Sequence, residues 1–120
     1  MSLTFAYNST NYVFTQDGVR PDAVTLGYSG STLALPKLMV ARRVQPKKTA
    51  SYIGNARNYL KLTWNVADGS GVACPIILEL SASRRADVAA ADVLVARGIM
   101  SAAIIDSELD AFFNTLALPS

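Results

Sequence analysis

The chain has 120 residues, the size of one domain, and 51% of them are apolar, which excludes a disordered chain. It holds no histidine and a single cysteine, Cys74. That removes the commonest general base and metal ligand, the Ser-His and Cys-His pairs, an internal disulfide framework and any zinc site made of several cysteines. Eleven Lys and Arg against nine Asp and Glu leave a formal charge of only +2.

The first half reads as strands and turns. Leu3 to Tyr7 and Tyr12 to Thr15 form a hairpin candidate around the turn cluster Asn8-Ser9-Thr10-Asn11, with Asp17-Gly18 ending its second strand. Ala23 to Tyr28 is a short strand closed by Ser29-Gly30-Ser31. Leu38 to Val44 is a longer one, bounded by Pro36 and Pro46 as prolines bound strands. Lys47 to Asn55 is a polar connection with a Gly54-Asn55 turn signal. Arg57 to Val66 alternates strictly: Leu60, Leu62, Trp64 and Val66 point one way, and Arg57, Tyr59, Lys61, Thr63 and Asn65 the other. This is a strand of an antiparallel sheet with one covered and one wet face. Ala67 to Gly71 is an exposed turn, and a second alternating strand runs from about Ala73 to Ala82. The period then changes. Ser83 caps an alanine-rich helix over Ala86 to Arg97 that stops at Gly98, and Ser101 caps a second helix. The apolar face of that helix is Ile105, Leu109, Phe112, Phe113 and Leu116, and Pro119 ends it. The expected fold is α+β: an N-terminal hairpin (1–16) and a five-stranded antiparallel sheet (23–82), followed by two C-terminal helices (84–118), in one domain over 1–120. Two helices make a modest cover for such a sheet, so a second copy of the chain is expected to complete the core.

The start, Met1 to Asn8, lacks the basic and apolar segments of a signal peptide, and no apolar run approaches the ~18–20 residues that span a bilayer. No membrane partner is expected, and a reducing compartment suits the free cysteine. Asp106, Glu108 and Asp110 have no basic partner nearby to divide acid and base roles, and read as a solvated face. Cys74 precedes Pro75 with no neighbouring base to activate it. Gly69-Ser70-Gly71 lacks the Lys-Ser/Thr and helix start of a phosphate loop. Neither a catalytic centre, a metal nor a cofactor is expected.

The small net charge conceals an asymmetry. Residues 23–67 contain Lys37, Arg42, Arg43, Lys47, Lys48, Arg57 and Lys61 and no acid, a net +7, while residues 84–120 carry three bases against five acids, a net −2. A localised cation block fits a polyanion, because each neutralised phosphate releases counterions. Tyr59 shares a face with Arg57 and Lys61, with Thr63 beyond. An exposed ring between cations and hydroxyls is the means by which single-stranded RNA is stacked and held.

Three segments carry a family resemblance: Val44-Gln45-Pro46-Lys47-Lys48 followed by Asn55-Ala56-Arg57-Asn58-Tyr59-Leu60-Lys61-Leu62; Asp68-Gly69-Ser70-Gly71; and the helix pair of Ser83 to Ala117 with its Gly98-Ile99-Met100-Ser101 break. Together with the length and the opening hairpin, they make the chain similar to the coat proteins of single-stranded RNA bacteriophages, the levivirus group. The resemblance implies an intertwined homodimer in which each partner's helices cross the other's sheet, through Leu60, Leu62, Trp64, Ile105, Leu109, Phe112 and Phe113. It implies assembly in the bacterial host's cytoplasm into an icosahedral virion shell. In that shell Asp68, Gly69, Ser70, Gly71 and Cys74 lie at contacts between subunits. Genomic single-stranded RNA lies on the inner sheet face, which also binds a repressor hairpin in many members. By position, Arg57, Tyr59, Lys61, Thr63, Glu79 and Ser81 fall on that face, with Arg43 or Arg42 added from the preceding strand. A non-assembling dimeric RNA-binding protein is the alternative.

Overall fold

The structure is a computed structural model that describes residues 1–118; Pro119, expected to end the last helix, lies outside them. The chain forms two compact units, Met1–Ala86 and a second from Asp87 onward. The first is a six-stranded sheet in which every strand pairs antiparallel with its sequence neighbour, in the order β1-β2-β3-β4-β5-β6. Its strands are β1 (Ser2–Tyr7), β2 (Thr10–Arg20), β3 (Ala23–Tyr28), β4 (Lys37–Val44), β5 (Asn55–Ala67) and β6 (Ala73–Arg85).

The hairpin and the sheet are continuous. Asn8 and Ser9 turn the chain with positive φ of 51° and 63°, the geometry that matches strand twist in a two-residue hairpin. Asp17-Gly18 does not end β2. The ladder slips there, between Gln16 and Gly18, and Asp17 is taken up as a bulge while the strand runs on to Arg20 against β3. The hairpin's second strand therefore pairs with β3 and places all six strands in one sheet, four of them, β3 to β6, in the stretch where five were expected.

The register separates two faces. One carries Phe5, Tyr12, Phe14, Leu26, Tyr28, Met39, Leu62 and Trp64. Phe14 and Leu26 are its buried centre, at 3% and 2% exposure. Aromatic rings extend across it: Phe5 on Phe14 at 5.8 Å, Phe14 on Tyr28 at 5.5 Å, Tyr28 on Trp64 at 5.1 Å and Tyr12 on Trp64 at 5.9 Å. Such offset and edge contacts stabilise beyond the area they bury. Trp64 is thus part of the apolar packing, and Lys37 caps it with its Nζ 4.6 Å from the ring centroid.

In the second unit the expected boundaries move. Ser83 is no helix cap; it pairs with Arg57 inside β6, where the ladder to β5 continues to Arg85. The helix α1 runs from Ala90 to Ile104, through Gly98 and Ser101, where a break was expected. Glycine inside a helix costs only about 1 kcal/mol relative to alanine, and the alanine-rich flanks support it. The break comes at Asp106, whose Oδ1 accepts the amide of Glu108 at 2.8 Å and starts a 3-10 turn, Ser107–Leu109, leading into α2 (Asp110–Thr115). Ile105 is therefore the C-cap of α1, Leu109 belongs to the 3-10 turn, and Leu116 follows α2 with φ 62°. Together with Phe112 and Phe113 they do not line one continuous helix. No helix among the described residues is long and apolar enough to cross a membrane.

Candidate nucleic-acid interface

The second face of the sheet is polar along its last three strands. Strand alternation puts Arg57, Tyr59, Lys61 and Thr63 of β5 on it. Pairing sets Ser81 opposite Tyr59, Glu79 opposite Lys61, Ile77 opposite Thr63 and Ser83 opposite Arg57. From β4 it sets Arg42 opposite Tyr59 and Val40 opposite Lys61. Arg57, Tyr59, Lys61, Thr63, Glu79 and Ser81 thus share one surface.

Arg43 does not. The pairing of Arg42 with Tyr59 and of Arg43 with Asn58 puts the two arginines on opposite faces. Arg43 Nε lies 3.2 Å from Asp22 Oδ1, and its Nη2 donates to the Pro21 carbonyl at 3.2 Å, so it ties β4 to the β2–β3 turn. Arg42 takes the place on the polar face, with its guanidinium carbon 4.3 Å from the Tyr59 ring centroid. That contact fixes the ring, which is half-buried where an exposed one was expected, and covers one of its faces with a second planar group.

A groove of about 690 Å³ runs over these side chains, lined by Val40, Arg42, Tyr59, Lys61, Glu79 and Ser81. Lys61 Nζ stands 3.9 Å from Glu79 Oε1, and both side chains are largely solvated, 45% and 69% exposed. In high dielectric such a pair holds neither group tightly.

The cations also polarise the sheet along its strands. Arg20, Arg42, Arg43, Arg57, Arg84 and Arg85 occupy the end where β4 finishes and β5 begins, and Lys47 and Lys48 lie in the connection at the same end. That connection is pinned. Gly54, at φ 92°, is buried against the Lys47 backbone, where an added Cβ would come within 2.7 Å of the Lys47 carbonyl oxygen. Its own carbonyl accepts the Ala86 amide at 2.9 Å. Only glycine meets both demands. Tyr52 adds a hydroxyl bond to Asn55 Oδ1 at 2.6 Å.

The β5–β6 connection is built on Asp68. Its Oδ1 accepts the amides of Ser70 and Val72 at 2.7 and 2.9 Å, and its backbone amide donates to the Val72 carbonyl at 2.8 Å. Those side-chain bonds, led by the Val72 amide and then that of Ser70, hold the Asp68 carboxyl below its ordinary pKa. Gly71 closes the loop at φ 81°. Cys74 is exposed, with its Sγ 3.9 Å from Asp68 Oδ2. Among the described residues no group of three or more His, Cys, Asp or Glu is placed to hold a metal ion.

Two features were missed in the sequence. The facing of Arg42 is decided by its partner Tyr59 on β5, and Ala41-Arg42-Arg43 breaks the alternation that would have shown it. The pinning of the Lys47 connection left a signal in Gly54, but its partner Lys47 appears only in the fold.

No protein-family model and no curated protein matches the sequence. Solved structures do match the fold. The chain superposes on a subunit of the virus-like particle of bacteriophage GQ-907 with TM-score 0.79 and 16% identity, covering 95% of this chain and 88% of the other. For the virus-like particle of Beihai levi-like virus 32 the values are 0.79 and 13%, over 89% and 88%. For the bacteriophage EMS014 coat protein they are 0.62 and 14%, over 99% and 80%. An antiparallel six-strand sheet followed by C-terminal helices, matched over nearly the whole chain, is the fold of levi-like phage coat proteins, and this chain has it.

Proposed function

We propose that the chain is a non-enzymatic capsid subunit of an RNA phage. It dimerises with a second copy, assembles into a closed icosahedral shell and holds single-stranded RNA on the face of Arg42, Tyr59 and Lys61. The observation that carries the reading is β6. Among the described residues this thirteen-residue strand pairs on one side only, with β5, and it exposes Ile76, Ile77, Leu78 and Leu80. A long apolar edge with open N–H and C=O groups is a template for another strand. Pairing with β6 of a second copy would satisfy those groups and extend the sheet.

Leu60, Leu62 and Trp64 on the apolar sheet face, with Ile105, Leu109, Phe112 and Phe113 in the second unit, then supply the surfaces by which two copies cover each other. Ile105, Phe112 and Phe113 are exposed in a single chain, and so is Leu60, which supports that assignment. The Asp68–Gly71 loop and Cys74 are proposed to meet other subunits in the shell. Arg57, Thr63, Glu79 and Ser81 complete the RNA face, and a repressor hairpin is a further candidate ligand for it. Assembly belongs to the bacterial cytoplasm.

Recombinant chain examined by electron microscopy is expected to form uniform closed particles that protect host RNA from nuclease. Dimers without particles, binding RNA in solution, would favour the alternative of a non-assembling RNA-binding dimer.

A further inference from the structure

We propose that Glu79 reads the Watson–Crick edge of an unpaired base and prefers guanine, so that the polar face selects among single-stranded RNA sequences as well as holding phosphates. The inference rests on the RNA-binding part of the reading above.

Glu79 is the sole acidic residue of β4, β5 and β6. It stands inside the groove that holds Arg42, Tyr59 and Lys61. A face that served only to bind phosphates would lose by a carboxylate there, since it repels the backbone and offsets Lys61. Nor is Glu79 consumed by the fold. Lys61 is 3.9 Å away, beyond the roughly 2.7–2.9 Å of a charge-assisted hydrogen bond. No other contact to its carboxylate is found among the described residues, and the side chain is 69% exposed. Two oxygens with open lone pairs therefore face solvent between a cation and a hydroxyl.

The neighbours place a base within reach. Tyr59 sits opposite Ser81, one step along the same face from the Lys61–Glu79 pair. Diagonal neighbours of that kind lie about 7–8 Å apart, within reach of long or planar groups. A base stacked on the Tyr59–Arg42 platform would extend its edge toward Glu79. A carboxylate accepts and cannot donate, so it ranks the bases by their donors. Guanine offers N1–H and the N2 amino group side by side, matching two oxygens. Cytosine and adenine offer one amino group beside a ring-nitrogen acceptor. Uracil offers a single N–H flanked by two carbonyl oxygens that the carboxylate repels. The expected order is guanine first, cytosine and adenine next, uracil last.

The test measures binding of purified chain, dissociated from particles and freed of host RNA, to oligouridines of equal length, one of them with a single central guanine, across a salt series. The guanine oligomer is expected to bind about tenfold tighter, the lower range of a bidentate base contact. Glu79→Gln, at an exposed position that leaves the fold intact by circular dichroism, should abolish the preference and tighten binding of plain oligouridine at low salt. Equal binding of the two oligomers by the wild type overturns the inference alone, as does a preference that survives in Glu79→Gln. Absence of salt-dependent binding to either oligomer overturns the RNA-binding reading with it.

Discussion

At the scale of single residues, the adjacent pair Arg42 and Arg43 shows how much depends on register. Identical in chemistry, they go to different work because a strand sends neighbours to opposite faces. Arg43 is engaged by Asp22 and the Pro21 carbonyl, while Arg42 lies over Tyr59 in the polar groove. Arg42→Ala is expected to lower the slope of log K against log salt for single-stranded RNA by about 0.7, the loss of one phosphate contact. Arg43→Ala should leave the slope unchanged and reduce stability by about 0.2–1 kcal/mol, the worth of an exposed ion pair. Filter binding over a salt series and denaturant unfolding measure the two effects. Equal slopes lost in both variants would mean that RNA follows the basic end of the sheet rather than its face. The strict alternation of Arg57 to Val66 had already sorted β5 into its two faces, because one oily and one wet side write themselves into the residue order. Lys37 to Val44 carries apolar residues on both sides, so its facing could come only from the partner strand.

At the scale of elements, the meander was legible and its ends were not. Turn residues and prolines mark where a strand must stop, but pairing decides where it does stop. Ser83 has the chemistry of a helix cap, yet a ladder with Arg57 extends β6 through it. Gly98 has the chemistry of a helix stop, yet the break occurs at Asp106, where a side chain is placed to accept an amide. The β5–β6 loop is set by local chemistry, for the Asp68 carboxylate accepts the Ser70 and Val72 amides while backbone bonds and Gly71 close the turn. Because the folded loop depresses the Asp68 pKa, its contribution is fully present above the unfolded carboxylate value of about 3.9 and is lost as pH falls through the lower folded value. Hydrogen exchange at the Ser70 and Val72 amides is therefore expected to lose protection only below about pH 4. Asp68→Asn keeps an acceptor and should remove that pH dependence, whereas Asp68→Ala should unprotect both amides at every pH. Protection unaffected by Asp68→Ala would show that backbone pairing alone holds the loop.

At the scale of the whole molecule, the described residues include two buried apolar side chains, Phe14 and Leu26, while large apolar residues of β6, α1 and α2 remain exposed. Folding stability comes from apolar area removed from water. On the proposed capsid reading, the stability that this exposed apolar area leaves ungained comes from another copy of the chain. Stability gained by association depends on concentration, since the partner acts as a ligand of the folded state. The thermal midpoint is expected to rise with protein concentration, alongside elution from a sizing column at no less than the dimer mass. Leu78→Lys places a charge at the centre of the exposed β6 edge, the device by which sheets resist edge pairing. It should yield a soluble monomer whose midpoint is lower and no longer depends on concentration, while its far-ultraviolet circular dichroism keeps the sheet signature. Should the variant assemble as the wild type does, β6 is not the surface of association, and the exposed Phe112 and Phe113 become the next place to put the charge.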